Sequence, residues 1–368
     1  MDQRSSATRI VLTLGSLAAM LTAGLIAGCD RVGSATPTSA RQSASREHNA
    51  SGEKPGQPAR CPCAASRTSE ASHGSAQPDG SRPLCGNGSK VGVLLVSHGS
   101  HSEGWRKTVL DIEQSVRNDI LRGGRVAEVR SAFMEYTEPS IATQLKAFDR
   151  EGFADVILVP LLLTVSSHSF DDIPTIIGQK QDHLTANTLP LQGIEIYEPK
   201  ARVCIAPLLD FPAVLGKNVV RRVRQMSKAP ANEGVVLVAY GDKQYEEEWN
   251  RLLEKVGNEL RSETGVDCIR HSWCGHIVQY KSEPTAAAIR DVLDSKQRAI
   301  VVPVLVAVDE AFQGKIIGGA IKDVGEDQRI VYRHDAILPD ENINRWVVDI
   351  SLELASTLKD EHASARTK

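Results

Sequence analysis

An internal repeat is the feature of this sequence that most limits its fold. Short apolar runs and Glu-Pro turns recur in the same order in two stretches of the chain, and matching landmarks lie 142 to 145 residues apart. Such near-constant spacing is typical of a structural unit that occurs twice. The matching pairs are 92–99 with 234–241, Glu138-Pro139-Ser140 with Glu283-Pro284-Thr285, and 156–163 with 299–306. We therefore expect two similar halves, 91–228 and 229–360.

Each half alternates strand patterns with helical patterns. Residues 91–96 form a continuous apolar run, which is typical of a parallel strand buried on both faces. Further strands are predicted near 127–133, 155–163 and 193–197. Helices are predicted from the apolar stripe that begins at Trp105, from Pro139 onward and around 214–226. This alternation predicts an α/β fold with two parallel sheets and a cleft between the halves.

The first thirty residues have the pattern of an export signal. Arg4 and Arg9 precede an uncharged apolar stretch over 10–28 that ends in small residues. Leu25-Ile26-Ala27-Gly28-Cys29 resembles the bacterial lipobox, which implies a signal peptide over 1–29 and a lipid on Cys29. We expect an exported protein anchored to a bacterial membrane. A plain signal anchor with an incidental cysteine is the alternative.

The next stretch, 30–90, consists mainly of Ser, Ala, Gly, Pro, Arg and Gln. With almost no large apolar side chains it has too little surface to bury, so we expect a disordered tether. Cys61, Cys63 and Cys85 lie in this tether. A disulfide, capture of a metal ion and incidental cysteines all remain open for them.

Composition excludes nucleic acid as a partner. The 368 residues carry 43 Lys and Arg against 46 Asp and Glu, a net charge of −3, so there is no basic footprint. Aromatic residues make up only 4%, which disfavours a protein that stacks on single strands.

Three polar side chains follow consecutive predicted strands of the first half. His98 follows the first strand, Glu135 the second and His168 the third. Because the carboxyl ends of parallel strands meet at one edge of a sheet, we expect these side chains to lie close together. Two imidazoles and a carboxylate can bind a divalent transition metal, and they can also accept protons. Neighbouring polar residues have ordinary interpretations: a cap at Ser100, a solvent-facing His101 and helix caps at Asp171 and Asp172.

The second half provides an internal control. It has Tyr240 at the position of His98, Cys274-Gly275 around that of Glu135 and Asp309-Glu310-Ala311 near that of His168. A purely structural role would be expected to recur with the scaffold, so the difference favours one functional site in the first half. His276 either faces the cleft or lies, like His271, in an ordinary surface loop.

The first half resembles the sirohydrochlorin chelatases. The resemblance rests on 93–100, Phe133-Met134-Glu135, Glu138-Pro139-Ser140 and the stretch from Val159 through His168 to Pro174. It implies an ATP-independent lyase of cobalamin or porphyrin biosynthesis that inserts cobalt, iron or nickel into a tetrapyrrole. It also implies two flavodoxin-like halves with the tetrapyrrole between them, and a degenerate second half.

The resemblance further implies roles for single residues. His98, Glu135 and His168 would hold the incoming divalent metal, which is a substrate, and help to remove the pyrrole protons. Cationic partners for the carboxylates of the macrocycle would come from Arg106, Lys107, Arg130 or Lys281. The sequence determines neither the metal nor the oligomeric state. Because we expect the chain to be exported, a membrane-tethered protein that binds metal or tetrapyrrole without catalysis is the alternative function.

Overall fold

The computed structural model describes residues 90–208 and 214–366. The predicted signal peptide, the predicted lipidation site Cys29 and the cysteines of the predicted tether, Cys61, Cys63 and Cys85, lie outside these ranges, and their assignments remain predictions. Within the described ranges, the structure has no helix that combines the length and apolar character needed to cross a bilayer.

The first unit is built on a sheet of four parallel strands in the order β2-β1-β3-β4. Its strands are β1 (Val91–Ser97), β2 (Glu128–Phe133), β3 (Asp155–Pro160) and β4 (Arg202–Ile205). Val93 of the central β1 pairs with Val129 on one side and Ile157 on the other. Every residue of β1 is buried, as the continuous apolar run predicts.

Helices cover both faces of this sheet. Ser102 caps the first of them by accepting a hydrogen bond from the Trp105 backbone N–H at 3.3 Å. The apolar stripe of that helix is buried against the sheet, as its spacing predicts. The helical segments are α1 (Glu103–Leu121), α2 (Ile141–Arg150), a π-helical turn (His168–Asp172), α3 (Ile173–Ile176), α4 (His183–Leu191) and α5 (Leu215–Met226).

The strand predicted at 193–197 is wrong. This segment has no strand conformation, and the fourth strand is β4. The backbone N–H of Tyr197 donates to the Ile176 carbonyl at the end of α3, and the side chain of Ile196 is 37% exposed. Residues 202–205 take the free edge of β3 instead, because Asp149 accepts hydrogen bonds from the backbone of Lys200 and Ala201 and directs the chain there.

The second unit repeats the architecture of the first. Its strands have the order β6-β5-β7-β8, and Val235 of the central strand pairs with Ile269 and Ile300. The strands are β5 (Glu233–Ala239), β6 (Cys268–Trp273), β7 (Arg298–Val304) and β8 (Ile330–Tyr332). The helices are α6 (Glu246–Thr264), α7 (Glu283–Ser295), a π-helical turn (Ala311–Ile317), α8 (Gly318–Val324) and α9 (Glu341–Arg366), and short 3₁₀ turns span Pro230–Asn232, His276–Val278 and Asp327–Arg329. The predicted α/β fold with two similar parallel-sheet halves is confirmed.

The two units interlock by exchanging helices. Helix α5 packs against α6 and β7 of the second unit, while α9 returns to pack against α1 and β3 of the first. Arg222 of α5 is buried and donates to the Pro303 carbonyl at 2.8 Å, next to an ion pair with Asp335. One apolar cluster includes side chains of both sheets. Burial of this shared surface holds the units in a defined relation to each other.

Candidate metal centre

Three side chains meet at the carboxyl edge of the first sheet. His98 directly follows β1, Glu135 lies two residues after β2, and His168 begins the π-helical turn after β3. One ligand atom from each lies within 4.8 Å of the others, and all three residues are half-buried. The structure thus brings together the trio that strand placement predicts.

A glycine allows the first two loops to meet. Gly99 has φ +106°, and a Cβ at this position would lie 2.1 Å from the backbone oxygen of Glu135. The backbone N–H of Glu135 in turn donates to the His98 carbonyl at 2.9 Å. Only glycine fits both the conformation and the close approach, so the turn places His98 beside Glu135.

The outer nitrogens of the two imidazoles are engaged by acceptors. Nδ1 of His168 donates to Oδ2 of Asp172 at 2.7 Å, and Nδ1 of His98 donates to the Gly99 carbonyl at 3.0 Å. A ring that donates through Nδ1 and is neutral carries its lone pair on Nε2. In their neutral forms, both rings therefore direct an Nε2 lone pair into the site.

The inner nitrogens of the two rings face each other. The distance from Nε2 of His98 to Nε2 of His168 is 3.1 Å. Two lone pairs at this distance repel, so either a shared proton or a metal ion must lie between them. Metal–nitrogen bonds of about 2.1 Å with ligand angles of about 90–109° place two nitrogens roughly 3.0–3.4 Å apart, which includes the observed spacing.

Electrostatics distinguishes the two histidines. Burial and the neighbouring His168 lower the pKa of His98. Burial also acts to lower the pKa of His168, but the hydrogen bond and charge of Asp172 outweigh it and raise this pKa. Of the two rings, His168 is therefore the stronger base, and on lowering the pH it takes up a proton before His98 does.

Asp172 does not have the capping role that its position suggests. It precedes α3, but its side chain makes no cap hydrogen bond and binds His168 instead. Asp171 likewise pairs with Lys180 and accepts a 2.9 Å hydrogen bond from Tyr245 of the second unit. The i, i+4 spacing of His168 and Asp172 is the sequence signal that could have identified this pair, since it places both on one face of a helical turn.

Tyr136 lies beside the trio, and His101 packs against it. His101 is exposed, as predicted, and its ring lies 4.6 Å from that of Tyr136. Tyr136 has a left-handed backbone conformation, is 58% exposed and lies 5.9 Å from the His98 ring. Such conformations in non-glycine residues cluster at functional sites. The sequence does not predict Tyr136 as part of the site, because a tyrosine in a loop has no distinctive pattern.

The second unit presents a different cluster at its equivalent edge. Tyr240 takes the place of His98, and its hydroxyl lies 3.2 Å from Nε2 of His276 and 3.1 Å from the hydroxyl of Tyr280. His276 is thus part of the carboxyl edge. His271 lies instead on the outer strand β6, and its Nε2 lies 3.0 Å from Oδ1 of Asn250. Ala311, which offers no ligand, opens the π-helical turn of this unit as His168 opens that of the first.

The four side chains predicted to bind the carboxylates of the macrocycle lie in different environments. Arg106 donates to the Ser100 carbonyl at 2.7 Å, close to the His98 loop. The other three are directed to solvent or to the outside of the sheet: Lys107 pairs with Asp111, Arg130 pairs with Glu151 and covers the Phe148 ring, and Lys281 is exposed.

Comparison with known sequences identifies relatives of the first unit. Residues 92–226 match the CbiX family model. The sirohydrochlorin cobaltochelatase of Methanosarcina barkeri is 27% identical over 136 residues, which is 37% of this chain and 96% of that relative. The sirohydrochlorin cobaltochelatase of Sulfurisphaera tokodaii is 33% identical over 85 residues, which is 23% of this chain and 64% of the relative.

Solved structures with a similar fold cover both units. SirB from Bacillus subtilis with Fe³⁺ matches with a TM-score of 0.57 at 18% identity, over 74% of this chain and 98% of that chain. The sirohydrochlorin chelatase SirB from Bacillus subtilis subspecies spizizenii in complex with cobalt matches with a TM-score of 0.51 at 17% identity, over 74% and 97% of the two chains. Residues 92–226 therefore match the CbiX family model, and the two units together have a fold similar to that of SirB.

Proposed function

We propose that this protein inserts a divalent metal ion into a sirohydrochlorin-type tetrapyrrole at the His98–Glu135–His168 site. The observation that carries the proposal is the convergence of two imidazole lone pairs and a carboxylate on one point at the carboxyl edge of the first sheet. This site lies inside the range that matches the CbiX model, and the relatives of this chain from Methanosarcina barkeri and Sulfurisphaera tokodaii are named sirohydrochlorin cobaltochelatases.

The residues of the site account for both tasks of such a reaction. The Nε2 atoms of His98 and His168 and a carboxylate oxygen of Glu135 bind the incoming ion, which replaces the proton shared by the two rings. When the ion moves to the ring nitrogens of the macrocycle, two pyrrole N–H protons must leave. The imidazole and carboxylate groups that held the ion are deprotonated when it leaves, so they are available at the same site to accept these protons.

Cobalt is the metal we propose. The relatives from Methanosarcina barkeri and Sulfurisphaera tokodaii are named cobaltochelatases, and one of the similar structures holds cobalt. Another holds Fe³⁺. Imidazole and carboxylate ligands also suit iron and nickel, so these metals are the competitors to test.

We also propose that the protein acts outside the cytoplasm, anchored through Cys29. The support is the basic and apolar leader that ends at the lipobox-like sequence Leu25 to Cys29. The catalytic unit would then be residues 91–228, the second unit 229–360, and the stretch 30–90 a tether between membrane and catalytic unit.

The experiment is an insertion assay with the purified full-length chain. Sirohydrochlorin is mixed with Co²⁺, Fe²⁺ or Ni²⁺, and the absorption change of the macrocycle is followed against a reaction without protein. We expect metal-dependent acceleration that is lost in His98→Ala and in His168→Ala. His271→Ala is the matched control, since His271 lies on the edge strand β6 of the second unit and its ring contacts Asn250 of α6. Tight binding of metal or tetrapyrrole without metallated product would instead favour the non-catalytic binding protein.

A further inference from the structure

Two serine–aspartate hydrogen bonds connect the histidine loops to the second unit. The Ser100 hydroxyl donates to Oδ2 of Asp309 at 2.8 Å. The backbone N–H and the hydroxyl of Ser167 both donate to Oδ2 of Asp242, at 3.0 and 2.9 Å. Ser100 lies two residues after His98 and Ser167 directly precedes His168. Each histidine loop is thus held by one carboxylate from the other unit.

The two aspartates occupy related places in the repeated fold. Asp242 follows Tyr240 by two residues, as Ser100 follows His98. Asp309 lies two residues before the π-helical turn of the second unit, in the loop that corresponds to that of Ser167. The crossed contacts therefore have an approximate twofold relation about the interface between the units.

Each aspartate is also fixed within its own loop. Oδ1 of Asp242 accepts from the backbone N–H of Gln244 at 2.9 Å. Oδ1 of Asp309 accepts from the backbone N–H of Ala311 at 3.0 Å. One carboxylate oxygen anchors the side chain in the second unit and the other holds a serine of the first. Because each carboxylate uses one oxygen within the second unit and the other to hold a serine of the first, its role in the structure is to position that serine.

We propose that Asp242 and Asp309 are positioning residues that set the spacing of His98 and His168 for metal binding. The facing Nε2 atoms lie 3.1 Å apart, and a displacement of either loop would separate them. The second unit, which has tyrosine and alanine where the first has histidines, would then serve to hold the ligands of the first unit in place. This inference rests on the proposed metal binding by the trio.

The test is a cobalt titration of the full-length protein with a double-mutant cycle. Ser100→Ala and Asp309→Ala should each weaken cobalt affinity about 10-fold, as loss of groups that orient metal ligands commonly does. The double variant should bind no more weakly than either single variant, since both remove the same hydrogen bond. Ser100→Thr keeps the hydroxyl and should restore affinity. Additive losses in the double variant, or a threonine variant as weak as the alanine variant, would overturn the proposal.

Asp242→Ala extends the test to the other loop, with an equal expected loss. The matched control is Asp323→Ala, which removes a serine–aspartate hydrogen bond that stays within the second unit, from Ser282 at 3.3 Å. It should leave cobalt affinity unchanged. An equal loss in Asp323→Ala would mean that general destabilisation, rather than positioning, causes the effect.

A metal-free measurement separates this inference from the proposed function. In ¹⁵N spectra of the histidine rings, the wild type should show the hydrogen bond between the two Nε2 atoms, and Asp242→Ala and Asp309→Ala should lose it. If the wild type binds no cobalt but the ring signals still change in the variants, positioning is supported and metal binding by the trio is wrong. If the ring signals and the affinity both stay unchanged in the variants, the positioning role is wrong.

Discussion

Asp172 accepts a 2.7 Å hydrogen bond from Nδ1 of His168, one turn earlier in the same π-helical segment. The side chains are only 17% and 24% exposed, so the pair is largely shielded from water. The carboxylate fixes the ring orientation and directs the Nε2 lone pair toward His98. A carboxylate that accepts a hydrogen bond from the other ring nitrogen of a histidine ligand commonly strengthens metal binding.

The first prediction concerns this pair. Asp172→Ala should weaken cobalt affinity by about 10–100-fold, because the ring of His168 loses both its orientation and its negative partner. Asp172→Asn keeps an acceptor oxygen without the charge and should lose less. Isothermal titration of the two variants beside wild type measures the difference. Equal affinity in all three proteins would contradict the role of Asp172.

The second prediction is a pH dependence of metal binding. The pKa of His168 is raised, with Asp172 outweighing the effect of burial, so this ring is protonated below its raised pKa and must lose its proton to bind a metal. The pKa of His98 is lowered by burial and by His168, so this ring loses its proton at lower pH than His168 does. Cobalt affinity should therefore fall as pH decreases through the raised pKa, with release of about one proton per ion near neutrality.

Titrations in buffers of different ionisation enthalpy would count the released protons. An affinity that stays constant between about pH 6 and about pH 8 would show that no histidine proton is displaced. Asp172→Ala is the matched variant, since loss of its carboxylate should move the pH dependence of binding to lower pH.

The third prediction compares two glycines near the first histidine. Gly99→Ala should destabilise the protein by about 1–3 kcal/mol and weaken cobalt binding, since φ is +106° and a Cβ would lie 2.1 Å from the Glu135 oxygen. Gly104 lies in α1 with no atom within 4 Å of a Cβ. Gly104→Ala should instead add up to about 1 kcal/mol from helix propensity. Urea unfolding of both variants checks this, and a neutral Gly99→Ala would disprove the proposed close approach.

The fourth prediction tests the exchanged helix α5. Arg222→Ala should lower the free energy of unfolding by about 2–3 kcal/mol, because the substitution leaves the Asp335 carboxylate and the Pro303 carbonyl without their partner. Asp335 is partly exposed, so we expect a smaller loss than for a fully buried ion pair. Arg224 on the same helix forms an exposed pair with Glu263. Arg224→Ala should cost at most about 1 kcal/mol. Similar losses in both variants would argue against a specific role of Arg222 in joining the units.

Much of the site could be predicted from the sequence because strand ends are visible in it. The apolar runs locate the ends of β1, β2 and β3, and parallel strands bring His98, Glu135 and His168 to one edge. Tyr136 and the role of Asp172 were missed, because single residues in loops give no periodic signal. The wrong strand at 193–197 has a similar cause, since its apolar content does not reveal that Tyr197 donates to Ile176 of α3.

The sequence by itself determined the class of fold and its two similar halves, and it predicted the residue types of the candidate site, because hydrophobic periodicity and strand-end placement are local properties of the chain. Only the tertiary structure decided how the two units meet. Helices α5 and α9 pack on the opposite unit, and Asp242 and Asp309 reach Ser167 and Ser100 from 75 and 209 residues away. Such contacts depend on how buried surfaces fit together in three dimensions, which no local pattern of residues records.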